Sequence, residues 1–131
     1  MISLKTHNVL DYIFGVVLAF CPYFFNFATI DIARNVFQTA GVGLIVYSLL
    51  TNYRYSIVKA IPVRIHMVLD VINGALVLLA PWIFGYRGSI TDFQTGVHVV
   101  LGLAVFALVA FTNRRVITAA GEKEREYPRA A

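Results

Sequence analysis

His7-Asn8-Val9-Leu10-Asp11-Tyr12-Ile13-Phe14-Gly15 returns 59 residues later as His66-Met67-Val68-Leu69-Asp70-Val71-Ile72-Asn73-Gly74. At the same offset Pro22 meets Pro81, Phe25 meets Phe84, and further on Gly43 meets Gly102, Leu44 meets Leu103 and Val46 meets Val105. Apolar residues alone generate chance identities, but His, Asp, Gly and Pro held in one register do not. The chain therefore reads as a tandem duplication. Within each copy the His, Asp and Gly are spaced i, i+4, i+8, which places them along one face of a helix.

Around these stretches the composition is that of a chain dissolved in lipid. Of 131 residues, 59% are hydrophobic and 14% charged, against roughly 45–50% and about 25% in a soluble domain. A domain this size buries only about two-thirds of its unfolded surface in water, so much of its apolar area needs another solvent. No Asp, Glu, Lys or Arg occurs from Tyr12 to Ile30, Asn35 to Tyr53, Val71 to Tyr86, or Phe93 to Asn113. A stretch of about 22 helical residues reaches ~33 Å, enough to cross a hydrocarbon layer of ~30 Å. The expected fold is thus an all-α membrane protein of four transmembrane helices in two helical hairpins. Residues 1–60 form the first, with spans about 6–27 and 34–53, and residues 61–115 the second, with spans about 64–86 and 92–113. A polar cytoplasmic tail follows over 116–131, and the whole makes one structural domain. The first span is read as retained rather than cleaved, because Phe20 stands where a signal cleavage box needs a small residue and Asp11 interrupts the apolar run.

Two hairpins contribute an even number of spans, so both copies enter the membrane in the same direction, related by a two-fold-like axis along the membrane normal. In that arrangement Lys5, Arg54, Lys59, Arg64, Arg114, Arg115, Lys123, Arg125 and Arg129 share one side, and only Arg34 and Arg87 the other. Positive flanks stay inside, so both termini are expected in the cytoplasm. This topology accounts for the net charge of +4 without a nucleic-acid partner. The lone Cys21 has no internal disulfide partner and is expected to pack.

His7-Asn8-Val9-Leu10-Asp11, Gly15 and Cys21-Pro22-Tyr23, together with His66-Met67-Val68-Leu69-Asp70, Gly74 and Ala80-Pro81-Trp82, resemble the two copies of the bacterial SPW-repeat membrane proteins. Cys21 and Ala80 replace the namesake serine, and Tyr23 replaces one tryptophan, so a role for the serine hydroxyl is lost here. The resemblance implies a small four-span protein of the bacterial inner membrane and no particular activity.

Because the two His-Asp pairs stand at equal depth on parallel spans, His7, Asp11, His66 and Asp70 are expected to form a polar cluster near the cytoplasmic edge. A carboxylate near a helix N-terminus is favoured by the dipole by ~0.3–1 kcal/mol, and a histidine one turn earlier can bond it, so the primary reading is structural. The same donor set suits Zn²⁺ or another transition ion, and His7 with His66, or either with His98, is the pair that haem ligation would use. His98, with Gln94 and Gly102 on its face, is read as an interior histidine bonded to a neighbour. Gly15, Gly74, Gly43 and Gly102, with Gly41 and Gly96, are the expected sites of close helix packing. Pro22 and Pro81 should kink or end their helices, with Tyr23, Phe24, Phe25, Phe27, Trp82, Phe84 and Tyr86 forming an outer aromatic belt.

No nucleophile–base pair, cysteine metal cluster or nucleotide motif stands out. The expected function is that of a non-enzymatic accessory or scaffold subunit without a resident cofactor, in contact with lipid and with other membrane subunits or copies of itself. The alternatives are a metal- or haem-binding protein built on the duplicated His-Asp pairs, and a small proton- or ion-coupled transporter acting as an oligomer.

Overall fold

The computed structural model describes residues 1–112 together with 118, 119, 122, 123, 125 and 126. The other positions of the expected tail, like Arg114 and Arg115, lie outside the described residues. Four helices follow in order: α1 Leu4–Phe24, α2 Asp31–Leu50, α3 Val63–Ile83 and α4 Asp92–Phe111, with a short 3-10 turn at Arg87–Ser89. α1, α3 and α4 are each long and apolar enough to cross a membrane. α2 equals α4 in length, but Asp31, Arg34, Asn35, Gln38 and Thr39 occupy its first turns, so its apolar run is shorter. The protein is an all-α membrane bundle of four helices.

Local chemistry sets the ends. Ser3 caps α1 by accepting from the Thr6 amide at 3.1 Å, and Thr91 with Gln94 forms a reciprocal capping box on α4. Pro22 and Pro81 sit inside the last turns of α1 and α3, which end two residues later. Just beyond, Asn26 (φ 57°) and Gly85 (φ 72°) take the left-handed conformation. These residue types adopt it most readily. It lets the Phe27 amide reach the Pro22 carbonyl at 2.9 Å, and the Gly85 amide the Trp82 carbonyl at 3.3 Å.

Asn26 and Gly85 preserve the 59-residue offset, but the helices that follow do not. The loop after α1 runs from Phe25 to Ile30, while the loop after α3 runs from Phe84 to Thr91 and holds the extra 3-10 turn. Asp31 therefore corresponds to Asp92, Gly41 to Gly102 and Thr51 to Thr112, an offset of 61. This corrects the alignment of Gly43 with Gly102. An alanine-sized Cβ on Gly41 would lie 2.6 Å from the Ala19 backbone nitrogen and closer still to the Gly15 carbonyl oxygen. On Gly102 it would lie 2.7 Å from the Gly74 carbonyl oxygen, whereas Gly43 and Gly96 face open space. The packing glycines are thus Gly15 with Gly41 and Gly74 with Gly102.

α1 packs on α2, α3 on α4, and α2 on α3. The two-fold-like relation is visible in the backbone. The Ile2 amide bonds the Phe111 carbonyl at 2.8 Å, and its repeat equivalent Ile61 bonds Leu50 at 2.8 Å. The chain's start and the end of α4 therefore share one end of the bundle. Leu18, Phe37, Ala40, Leu44, Val77 and Ala80 form the central core. Val9, Ile13 and Phe20 on α1, Val42 and Val46 on α2, Val68 and Ile72 on α3, and Val100 and Leu103 on α4 are exposed. An outward apolar surface of this kind is what lipid covers.

The aromatic belt needs one correction. Tyr23, Phe24, Trp82 and Phe84 are exposed, but Phe27 and Tyr86 are buried. Phe27 packs edge-on against Phe37 with ring centroids 5.1 Å apart, because the left-handed residue before it turns the chain back over the helix ends.

Candidate functional site: a buried quartet of two histidines and two aspartates

His7 and Asp11 lie in the first turns of α1, and His66 and Asp70 in those of α3. The i, i+4 spacing stacks each pair on one face, and the duplication sets both faces towards one another at one depth. All four residues are at most 1% exposed. His7 Nε2 is 3.3 Å from Asp11 Oδ1 and 3.0 Å from Asp70 Oδ2. His66 Nε2 is 3.1 Å from Asp11 Oδ2 and 3.2 Å from Asp70 Oδ2. Each imidazole thus faces its own carboxylate and that of the other repeat.

Two threonines that the sequence reading passed over fix the rings. Thr51, at the C-cap of α2, lies 2.8 Å from His66 Nδ1, and Thr112, at the C-cap of α4, lies 2.7 Å from His7 Nδ1. Both hydroxyls donate their single proton backwards, Thr51 to the Tyr47 carbonyl and Thr112 to the Leu108 carbonyl, each at 2.6 Å. With that proton committed, the hydroxyl oxygen accepts, so each Nδ1 carries a hydrogen and donates it. The tautomer follows: both Nε2 atoms are directed at the carboxylates by a bond on the opposite side of the ring.

Among the described residues, only one flank of the quartet has further polar support. The Tyr47 hydroxyl donates to Asp70 Oδ1 at 2.8 Å, and Ser48 Oγ approaches Asp11 Oδ2 at 3.4 Å. At the matched positions α4 has Leu108 and Val109. Asn73 donates to the Ala40 carbonyl at 3.2 Å, whereas its repeat counterpart is Phe14. Tyr53 lies over the site with its ring centroid 4.8 Å from that of His66 and 6.1 Å from that of His7. Among the described residues, the buried amide of Asn8, the Tyr53 hydroxyl and His66 Nε2 have no hydrogen-bond partner.

The arrangement does not fit haem. One oxygen, Asp70 Oδ2, is within 3.2 Å of both Nε2 atoms, so no macrocycle can pass between His7 and His66. His98 lies ~21 Å along α4 from Thr112 at 1.5 Å per residue. Its Nδ1 donates to the Gln94 carbonyl at 2.7 Å, and its Nε2 accepts from the Tyr86 hydroxyl at 3.0 Å. Phe27 and Phe37 pack against its ring. In the first repeat the matched pair is Phe27 and Phe37, so the second repeat replaces an aromatic contact with a hydrogen-bonded one.

No curated protein and no solved structure matches the chain. A family model described as the SPW repeat domain matches residues 5–113, a range that contains both His-Asp pairs and, but for Leu4, all four helices. The duplicated hairpin built around His7, Asp11, His66 and Asp70 is accordingly that of the SPW-repeat family, to which this chain belongs.

Proposed function

We propose that the protein is a non-enzymatic accessory or scaffold subunit of the bacterial inner membrane, in which the buried quartet clasps two hairpins into one unit. The observation that carries this reading is the crosswise pairing: each carboxylate is shared between a histidine of its own repeat and one of the other. A carboxylate in the membrane interior costs ~2.5–3.5 kcal/mol on insertion scales, and such a residue is retained where it makes bonds that hydrocarbon cannot replace. Supporting the reading against a transport path, the apolar layer of Leu18, Phe37, Ala40, Leu44 and Val77 separates the quartet from His98. The basic flank of Lys5, Arg54, Lys59 and Arg64 lies at the quartet's end of the bundle. Arg34 and Arg87 at the other end are paired with Asp31 and Asp92, which supports a cytoplasmic position for the site.

The lipid-wide apolar faces of the four helices are the surfaces through which such a subunit associates. Extraction of the native protein in mild detergent tests this. A stoichiometric larger assembly is the expected result, and a chain that migrates alone at native concentration refutes the accessory role.

A further inference from the structure

We infer that the quartet is a binding site for one divalent first-row transition ion of the zinc type, held by His7 Nε2, His66 Nε2 and one carboxylate oxygen from each of Asp11 and Asp70. The inference stands whether or not the protein has partner subunits. It begins with the spacing. For metal–ligand bonds of about 2.0–2.1 Å, a tetrahedral ion separates its ligands by about 3.3 Å. His7 Nε2 and His66 Nε2 stand 3.0 and 3.2 Å from one shared oxygen, Asp70 Oδ2, and 3.3 and 3.1 Å from Oδ1 and Oδ2 of Asp11 respectively, and one donor atom from each of the four residues lies within 4.8 Å of the others. Each imidazole nitrogen therefore stands near the separation from both carboxylates that an ion imposes.

The second line of argument is the orientation of the donors. Metal-bound histidines characteristically use their other ring nitrogen to donate a hydrogen bond that fixes tautomer and ring plane. Thr51 and Thr112 serve both histidines in that way, each oxygen left free to accept because its proton is held by a backbone carbonyl. Asp70 is anchored likewise, with Oδ1 bound by Tyr47 and Oδ2 turned to the centre.

A hydrogen-bonded network without an ion explains one atom poorly. His66 Nε2 is fully buried and has two carboxylate oxygens within 3.2 Å, yet it makes a hydrogen bond to neither. An ion between these atoms satisfies that nitrogen and all its neighbours together. Charge agrees with geometry: two neutral imidazoles and two carboxylates carry two negative charges, which one dication cancels in a place where uncompensated charge is prohibitive. Imidazole donors favour zinc and its neighbours over Mg²⁺ or Ca²⁺, which take oxygen ligands. Four protein ligands without an open position are the pattern of a structural rather than a catalytic ion, in keeping with the clasp.

The test uses the full-length protein in detergent, stripped with a chelator and titrated with Co²⁺ and then Zn²⁺. One Co²⁺ per chain is expected, with the intense visible bands of four-coordinate cobalt, and Zn²⁺ should displace it. Asp70→Asn should abolish this binding. Thr112→Val keeps all four ligands and removes only the ring anchor, so affinity should fall by about 10- to 100-fold. His98→Gln should leave binding unchanged. Should Asp70→Asn fail to fold, Thr112→Val carries the decision alone. Folded wild-type protein that takes up no Co²⁺, or uptake that neither variant weakens, overturns the inference.

Discussion

Alanine at position 41 and alanine at position 43 should have opposite effects, although the two glycines are only two residues apart on the same helix. At Gly41 the new methyl would stand 2.6 Å from the Ala19 backbone nitrogen, nearer still to the Gly15 carbonyl oxygen, and 3.1 Å from Leu18 Cβ. Two of these obstacles are backbone atoms, so no rotamer change relieves them and α1 must move away from α2. Overpacking of this kind costs about 1–3 kcal/mol, which at about 1.4 kcal/mol per decade raises the unfolding constant roughly 5- to 150-fold. At Gly43 the methyl meets nothing within 4 Å. There the helix gains about 0.8–1.0 kcal/mol of intrinsic propensity, and stability should rise or hold. Denaturation of the two variants in mixed micelles, followed by helical circular dichroism, measures the difference. Gly41→Ala as stable as wild type, or Gly43→Ala the more damaging of the two, would refute the 61-residue register between α2 and α4.

Three other outcomes follow from the same contacts. Asp70→Asn should destabilise more than Asp11→Asn, by about 1.5–3 kcal/mol, since Tyr47 donates to Asp70 at 2.8 Å whereas Ser48 Oγ stands 3.4 Å from Asp11; chemical denaturation ranks them. His98→Phe should cost about 1–3 kcal/mol by orphaning the buried Tyr86 hydroxyl, and adding Tyr86→Phe should recover most of it by recreating the Phe27–Phe37 contact of the first repeat, as a double-mutant cycle in thermal unfolding reads out. Single cysteines at Lys59 and Ser89 in a Cys21→Ser background should react with an impermeant thiol reagent from opposite faces of inner-membrane vesicles, position 59 on the cytoplasmic face; labelling of both from one face contradicts the topology.

Much of the site was legible because its residues repeat at fixed spacing in a background where they are costly. His7, Asp11, His66 and Asp70 stand out as polar groups on otherwise apolar helices, and a shared depth on parallel spans brings them near each other. Thr51 and Thr112 gave no such signal, since threonine at a helix end is ordinary. They could have been found only by noticing that each follows its own helix at one position. Tyr47, Ser48 and Asn73 were hidden for a different reason: their partners in the other repeat are apolar, so the duplication did not mark them. The register of α2 against α4 was misread because the lengthened loop at Arg87–Ser89 lies between the matching segments, and apolar helices align almost as well two residues out of step.

Taken alone, the sequence determined the solvent, the number of helices and their pairing into hairpins, because the cost of placing charge and open backbone in hydrocarbon is set by chain chemistry. The tertiary structure decided which glycines touch, which ring nitrogen carries the hydrogen and whether the four side chains of the quartet meet at bonding distance. Those depend on the rotation of each helix about its own axis and on the path of the loops, which only the packing of one helix against another fixes.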